Sequence, residues 1–206
     1  MKRELMIVYW TLLSCFPLPR EWHRKWLHRD WQNRIRKSLT TYLEASFESH
    51  RYSLIAGWVE YWSGARVSVL DVGCGSVVLA TRMRFDRYTG IDLSETELHL
   101  AIQRGIPNAS FTLCAAEDFQ SNVAYGAIVF NESLYYMPNP SGVVRQFMTM
   151  LSADGIIVVC MFRTAIERRI WKELGRLPLQ EIAMVEITNE HGSCSILRCY
   201  KQKEVV

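Results

Sequence analysis

The apolar run Val67-Ser68-Val69-Leu70 closes on Asp71-Val72-Gly73-Cys74-Gly75, and about twenty residues later Tyr88-Thr89-Gly90-Ile91 closes on Asp92. An apolar segment that runs into a glycine turn reads as a buried parallel strand. A second strand that ends on an acid completes the layout of a nucleotide-binding half-fold. That layout commits the chain to an open α/β sheet with its ligand at the carboxyl ends of the strands.

Dinucleotides and S-adenosyl compounds both use such a corner, and the acid at the strand tip separates them. A pyrophosphate there is repelled by Asp71, whereas the ammonium of an amino-acid tail is attracted and hydrogen-bonded. Val78 stands three residues beyond Gly75, so the third glycine of the dinucleotide fingerprint is missing as well. Both observations favour S-adenosylmethionine.

Four segments arrive in a recognisable order and spacing over about residues 50 to 200: Val69-Leu70-Asp71-Val72-Gly73-Cys74-Gly75, Tyr88-Thr89-Gly90-Ile91-Asp92-Leu93-Ser94, Ala116-Glu117-Asp118-Phe119, and Ile128-Val129-Phe130-Asn131-Glu132-Ser133-Leu134-Tyr135-Tyr136. Together they resemble the class I S-adenosylmethionine-dependent methyltransferases. The last segment is also similar to its counterpart in small bacterial natural-product enzymes, among them the nodulation N-methyltransferases that act on chitooligosaccharides. The resemblance implies methyl transfer to N or O of a small-molecule acceptor, without a metal. It implies a Rossmann-like, seven-stranded, mostly parallel sheet with one antiparallel strand, helices on both faces and a helical N-terminal extension.

Site residues follow from chemistry and resemblance together. Gly73 and Gly75 lack side chains where a ligand approaches the backbone, and a helix expected over Val77 to Met83 offers free N–H groups at its start. Asp92 can accept from ribose hydroxyls; its competing reading is a cap for the helix beginning at Ser94. Cosubstrate contacts are expected at Asp71, Gly73, Cys74, Gly75, Asp92, Leu93, Ala116, Glu117, Asn131 and Arg51. Arg51 matches a position where small members often carry an arginine near the cosubstrate carboxylate.

Ala115-Ala116 stand where the family commonly has an acid and a small residue. Either Glu117 takes the adenine amino group or the backbone reads adenine alone, unless Glu117 and Asp118 merely start a short helix. Val77 replaces the motif's third glycine and should crowd the turn; Gly126 replaces an acid at the start of the fourth strand. These departures keep a non-transferring protein with the same fold among the alternatives.

The catalytic candidates are Asn131, Glu132 and Tyr135 at the tip of the fourth strand. Transfer needs an aligned, unprotonated nucleophile, and Glu132 can accept an amine proton or act as base for a hydroxyl. Its competing role is an ion pair with Arg163. Tyr135 and Tyr136 either line the acceptor pocket or cover the sheet edge as core aromatics. His50, His23 and His28 are further candidate bases on a lid.

At 206 residues and 49% hydrophobic, the chain suits one methyltransferase domain over 65–206, with residues 1–64 as a helical extension or lid. Strands are expected at Val67–Val72, Tyr88–Ile91, Phe111–Cys114, Ala127–Asn131 and Gly155–Phe162, each covered on both faces. Helices are expected near 41–62, 95–104, 141–151 and 164–174, and a hairpin over Ile182–Thr188 and Ser195–Tyr200 turns at His191-Gly192.

Net charge is only +3, yet seven basic residues fall between Arg20 and Lys37 against Glu21 and Asp30. That stretch prompts an RNA-methylating alternative, although the stripe Trp22, Trp26, Leu27, Trp31, Ile35 and Leu39 explains it as a solvated amphipathic helix. A nucleic-acid partner is therefore disfavoured. Residues 1–16 imitate an export signal, but the apolar core is too short to span a bilayer, which disfavours a membrane partner. An apolar N-terminal helix packed on the domain or on a second copy, as a homodimer, is the expectation. Six scattered cysteines with no C-x-x-C pair point to a reducing cytoplasm.

Overall fold

The computed structural model describes Arg29 and residues 48–203 apart from Ala65 and His191. The elements are α1 (Ser49–Ser63), β1 (Ser68–Val72), β2 (Arg87–Asp92), α2 (Glu95–Gln103), β3 (Ala109–Leu113), β4 (Tyr125–Asn131), α3 (Pro140–Met148), β5 (Leu151–Phe162), α4 (Ala165–Leu174), β6 (Leu179–Thr188) and β7 (Cys194–Gln202). Short 3-10 turns at Leu79–Arg82, Ala116–Asp118 and Leu134–Tyr136 follow β1, β3 and β4. The N-terminal helix, the tryptophan stripe, His23, His28 and the homodimer contact all fall outside the described residues.

The sheet has seven strands in the order β3-β2-β1-β4-β5-β7-β6. β1 to β5 run parallel, and β7 lies antiparallel between β5 and β6. The expected mostly parallel sheet with one antiparallel strand is thus present, and the C-terminal hairpin supplies it. The chain order changes direction between β1 and β4, which opens the crevice where ligands of doubly wound sheets sit.

Side chains on the central strands alternate between two cores, which is why those strands read as unbroken apolar runs. Leu70, Val72, Ile128, Phe130, Ile157 and Val159 pack with α3 and α4. Val69, Ala127, Val129, Ile156 and Val158 pack with Tyr52, Ile55 and Val59 of α1 on the other face. The buried positions 52, 55, 56 and 59 repeat at helical spacing, and α1 stops at Gly64, whose φ of 81° is closed to most side chains.

Two expectations fail here. β3 is an edge strand with mostly exposed or half-buried residues, and Leu113 projects into solvent, so it is not covered on both faces. The helix expected over Val77 to Met83 contracts to the four-residue 3-10 turn Leu79–Arg82, because Met83 is already extended and leads to β2. The remaining helices start as their sequences ask: Ser94 accepts from the Glu97 N–H at 3.2 Å, and Asn139 accepts from the Gly142 N–H at 3.0 Å.

Candidate active site

Gly73 (φ 77°) and Gly75 (φ 53°) both take the left-handed conformation. A Cβ on Gly73 would stand 2.5 Å from Ser133 Cβ, so the turn after β1 and the tip of β4 meet where glycine leaves room. The Gly73 and Cys74 amides donate to the Ile91 carbonyl at 2.8 and 3.1 Å, and the Gly75 amide donates to Asp92 Oδ2 at 2.9 Å. Val77 completes the turn at φ 60° with its side chain wholly buried. The crowding expected of Val77 is therefore a β-branched residue held left-handed, which costs about 1–2 kcal/mol. With only a 3-10 turn after it, the free N–H groups expected of a helix start reduce to loop amides.

Asp71 is 2% exposed. Its Oδ2 accepts from the Tyr88 hydroxyl, while Oδ1 is buried without a partner. Register explains the first contact. Asp71 lies opposite Gly90, and Val69 lies opposite Tyr88, so the phenol reaches past a bare glycine to the carboxylate two positions along the same face. Burial pushes the Asp71 carboxyl up to about 7; the Tyr88 bond opposes that shift and the Asp92 charge adds to it.

Asn131 Oδ1 and Ser133 Oγ are likewise buried without a partner. Three of the six such side-chain atoms among the described residues therefore gather at the carboxyl ends of β1 and β4. A buried polar atom left unmet costs about 1–3 kcal/mol, and such atoms mark places where another group belongs.

Asp92 serves the fold as well as any ligand. Oδ1 accepts from the Ser94 amide at 2.8 Å and Oδ2 from the Gly75 amide, so the carboxylate ties the glycine turn to the start of α2. Burial pushes its carboxyl up, against the pull of the Ser94, Gly75 and Leu93 amides. Beyond β3, Ala115 and Ala116 are buried and Glu117 is half-buried in the 3-10 turn. Gln146 Nε2 donates to the Phe119 carbonyl at 2.7 Å and holds that turn against α3. Glu117 and Asp118 do lie in a short helix, of 3-10 form.

Glu132 and Arg51 meet, which the sequence reading did not foresee. Arg51 is 3% exposed; Nη1 donates to Glu48 Oε2 at 2.5 Å and lies 4.0 Å from Glu132 Oε1, and Nη2 donates to the Tyr52 hydroxyl at 3.0 Å. Its guanidinium lies over the rings of Tyr52 and Phe162. Burial works to lower its pKa, but the charges of Glu132, Tyr52 and Glu48 prevail and raise it. Its Nε is buried without a partner, so Arg51 is enclosed among Glu48, Tyr52 and Glu132 and keeps one unmet donor.

Glu132, with a side chain 9% exposed, accepts on Oε2 from the Tyr135 hydroxyl (2.5 Å) and the Phe162 amide (3.3 Å). On Oε1 it accepts from Cys160 Sγ and Ser195 Oγ, each at 3.5 Å. The competing role for Glu132, an ion pair with Arg163, is not the one seen: Arg163 pairs with Glu186 on the exposed outer strand β6. Tyr135 and Tyr136 are half-buried and meet edge to face, with centroids 4.6 Å apart.

A protein-family model described as a methyltransferase domain matches residues 63–203. The chain belongs to that methyltransferase family. Over 95 residues it is 36% identical to a ubiquinone biosynthesis O-methyltransferase of Chromobacterium violaceum, a match covering 42% of this chain and 40% of that protein. The chain spans less than half the length of such curated relatives.

Among solved structures it is similar in fold to the N-methyltransferase NodS of Bradyrhizobium japonicum WM9 in complex with S-adenosyl-L-homocysteine. That match has a TM-score of 0.69 at 22% identity and covers 79% of this chain and 91% of that one. A 1,6-didemethyltoxoflavin-N1-methyltransferase of Burkholderia thailandensis, with bound 1,6-didemethyltoxoflavin and S-adenosylhomocysteine, matches with a TM-score of 0.76 at 14% identity, over 91% of this chain and 92% of that one. At these identities the likeness is one of fold.

Three residues that the structure brings into the candidate site escaped the sequence reading. Tyr88 was legible in principle, because a tyrosine inside a fully buried strand needs a partner for its hydroxyl and Asp71 lies on the neighbouring strand. Glu48, three residues before Arg51, carried the signal of a helical ion pair. Ser133 carried none. Among the described residues, no group of His, Cys, Asp and Glu side chains could hold a metal, and no helix is long and apolar enough to cross a membrane.

Proposed function

We propose that this methyltransferase moves the methyl group of S-adenosylmethionine to N or O of a small-molecule acceptor. The reading is carried by Asp71 Oδ1, an acidic oxygen buried without a partner beside two left-handed glycines. Such a corner fits an ammonium and repels a phosphate. The bare backbone of Gly73, Cys74 and Gly75 admits the amino-acid tail, Asp92 keeps lone-pair capacity for ribose hydroxyls, and Leu93, Ala116 and Glu117 border the adenine. Asn131, with its own unmet oxygen, stands where the tail and the acceptor come together.

When bound, S-adenosylmethionine supplies an electrophilic methyl on a sulfonium. The chain's own contribution is alignment and exclusion of water: Tyr135 and Tyr136 form an aromatic edge at the tip of β4, and the orphaned oxygens behind it fix the cationic partner. Free thiols at the described cysteines fit a reducing, cytoplasmic setting.

The test is incubation with methyl-labelled S-adenosylmethionine and a panel of amines, phenols and carboxylic acids. A labelled product accompanied by S-adenosylhomocysteine is expected. Binding of S-adenosylhomocysteine without transfer to any of the panel would favour a protein that keeps the fold and uses the pocket otherwise.

A further inference from the structure

We infer that Ser133 sets the specificity for the cosubstrate's tail: its hydroxyl donates to the tail carboxylate, so the site takes a zwitterionic amino-acid tail and discriminates against one without the carboxylate. This role rests on the methyl-transfer reading above and supplies a partner for the second charge of the tail.

A serine placed just before a helical turn ordinarily accepts, through its side-chain oxygen, from one of the first amides of that turn. Ser133 precedes the 3-10 turn Leu134–Tyr136, yet its side chain makes no cap hydrogen bond. The turn closes instead through the backbone, the Tyr136 amide donating to the Ser133 carbonyl at 3.1 Å. Ser133 is 7% exposed, and its Oγ is buried without a partner. The hydroxyl therefore adds no bond to the fold, and left unmet it is a net cost to it.

Its place is fixed against the turn that follows β1. Glu132 ends β4 in a left-handed conformation (φ 58°), and the next residue meets Gly73. A Cβ on Gly73 would lie 2.5 Å from Ser133 Cβ and 3.3 Å from its Oγ, so glycine at 73 is what lets the serine come so close.

An anion at that corner needs a donor, and the amides of the turn are already spent. Those of Gly73 and Cys74 go to the Ile91 carbonyl, that of Gly75 to Asp92, and that of Val77 to the Cys74 carbonyl. Of the three buried side-chain atoms left unmet there, ionised Asp71 Oδ1 and Asn131 Oδ1 can only accept, which suits an ammonium. The Ser133 hydroxyl alone of the three carries a hydrogen. A zwitterionic tail meets both kinds at once, with its ammonium on the acceptors and a carboxylate oxygen on the serine.

S-adenosylhomocysteine and its decarboxylated counterpart, S-adenosyl-3-thiopropylamine, are titrated calorimetrically into wild type, Ser133→Ala and Asp71→Asn at pH 7.5, and thermal unfolding of the ligand-free proteins is followed in parallel. Wild type binds S-adenosylhomocysteine about tenfold or more tightly than the counterpart. Ser133→Ala weakens S-adenosylhomocysteine about tenfold and leaves the counterpart within about twofold, so the preference shrinks with the hydroxyl. Asp71→Asn weakens both ligands, because both keep the ammonium. Without ligand, Ser133→Ala unfolds at or above the wild-type Tm, since the hydroxyl it removes made no bond.

Equal affinity of wild type for the two ligands, or an equal loss for both in Ser133→Ala, would overturn this role and leave the proposed function standing. A lower Tm for Ser133→Ala overturns it too, because the hydroxyl would then serve the fold. If wild type binds no S-adenosylhomocysteine at all, the role of Ser133 and the proposed function both fall.

Discussion

With one oxygen on the Tyr88 hydroxyl and the other buried without a partner, Asp71 has a carboxyl pushed by burial from 3.8 to about 7. Between those values the folded chain binds more protons at this residue than the unfolded chain does. The contribution of Asp71 to stability is therefore most favourable below about pH 4, falls as pH rises toward 7, and levels off above it, by about 4 kcal/mol in all. Asp71→Asn should remove that slope, matching wild type near pH 4 and exceeding it at pH 8 in urea denaturation, while binding S-adenosylhomocysteine more weakly. A cationic tail favours the ionised carboxylate, so wild-type affinity should rise from pH 5.5 to 7.5. Val77 sets two effects against each other. Val77→Gly relieves about 1–2 kcal/mol of left-handed strain but removes a wholly buried side chain whose loss costs about 2–4 kcal/mol. Lost packing should win, and thermal unfolding should show a lower Tm.

At the scale of elements, α1 joins the sheet through two kinds of contact: an apolar stripe of Tyr52, Ile55, Ala56 and Val59, and the buried charges of Glu48, Arg51 and Glu132. Arg51→Leu leaves two buried carboxylates without their cation and should cost about 3–5 kcal/mol. Arg169→Ala, which breaks the exposed pair with Glu173 on α4, should cost under about 0.5 kcal/mol. Chemical denaturation of both variants checks the contrast. Elements governed by local pattern were legible in the sequence: α2 behind Ser94, the hairpin around Gly192, and the apolar strands. The helix after Gly75 was not, because its fate turns on the left-handed Val77, which periodicity does not register. The surroundings of Arg51 were not legible for a different reason. Its partner Glu132 lies 81 positions away, and only the packing of α1 over β4 and β5 brings the two together.

For the whole molecule, the alternation of strands and helices pointed to an α/β sheet, whereas its seven strands and one antiparallel member were expected from the resemblance to class I methyltransferases and are present. The exposure of β3 was not legible. Its apolar residues match those of a central strand in type, and its place at the sheet edge is a property of strand order alone. In the same way, the candidate site residues Asp71, Gly73, Gly75 and Asp92 were visible as a motif, whereas the hydrogen bonds that Glu132 accepts from Cys160, Phe162 and Ser195 depend on β5 and β7 arriving beside it. The proposed methyl transfer requires that the corner formed by β1, its glycine turn and β4 hold an S-adenosyl ligand by its cationic tail. The most direct measurement is isothermal titration of S-adenosylhomocysteine into wild type and Asp71→Asn at pH 7.5. Saturable binding at one site per chain, weakened about tenfold or more by the substitution, is the predicted result. Absence of heat at high protein concentration, or an affinity untouched by Asp71→Asn, would contradict it.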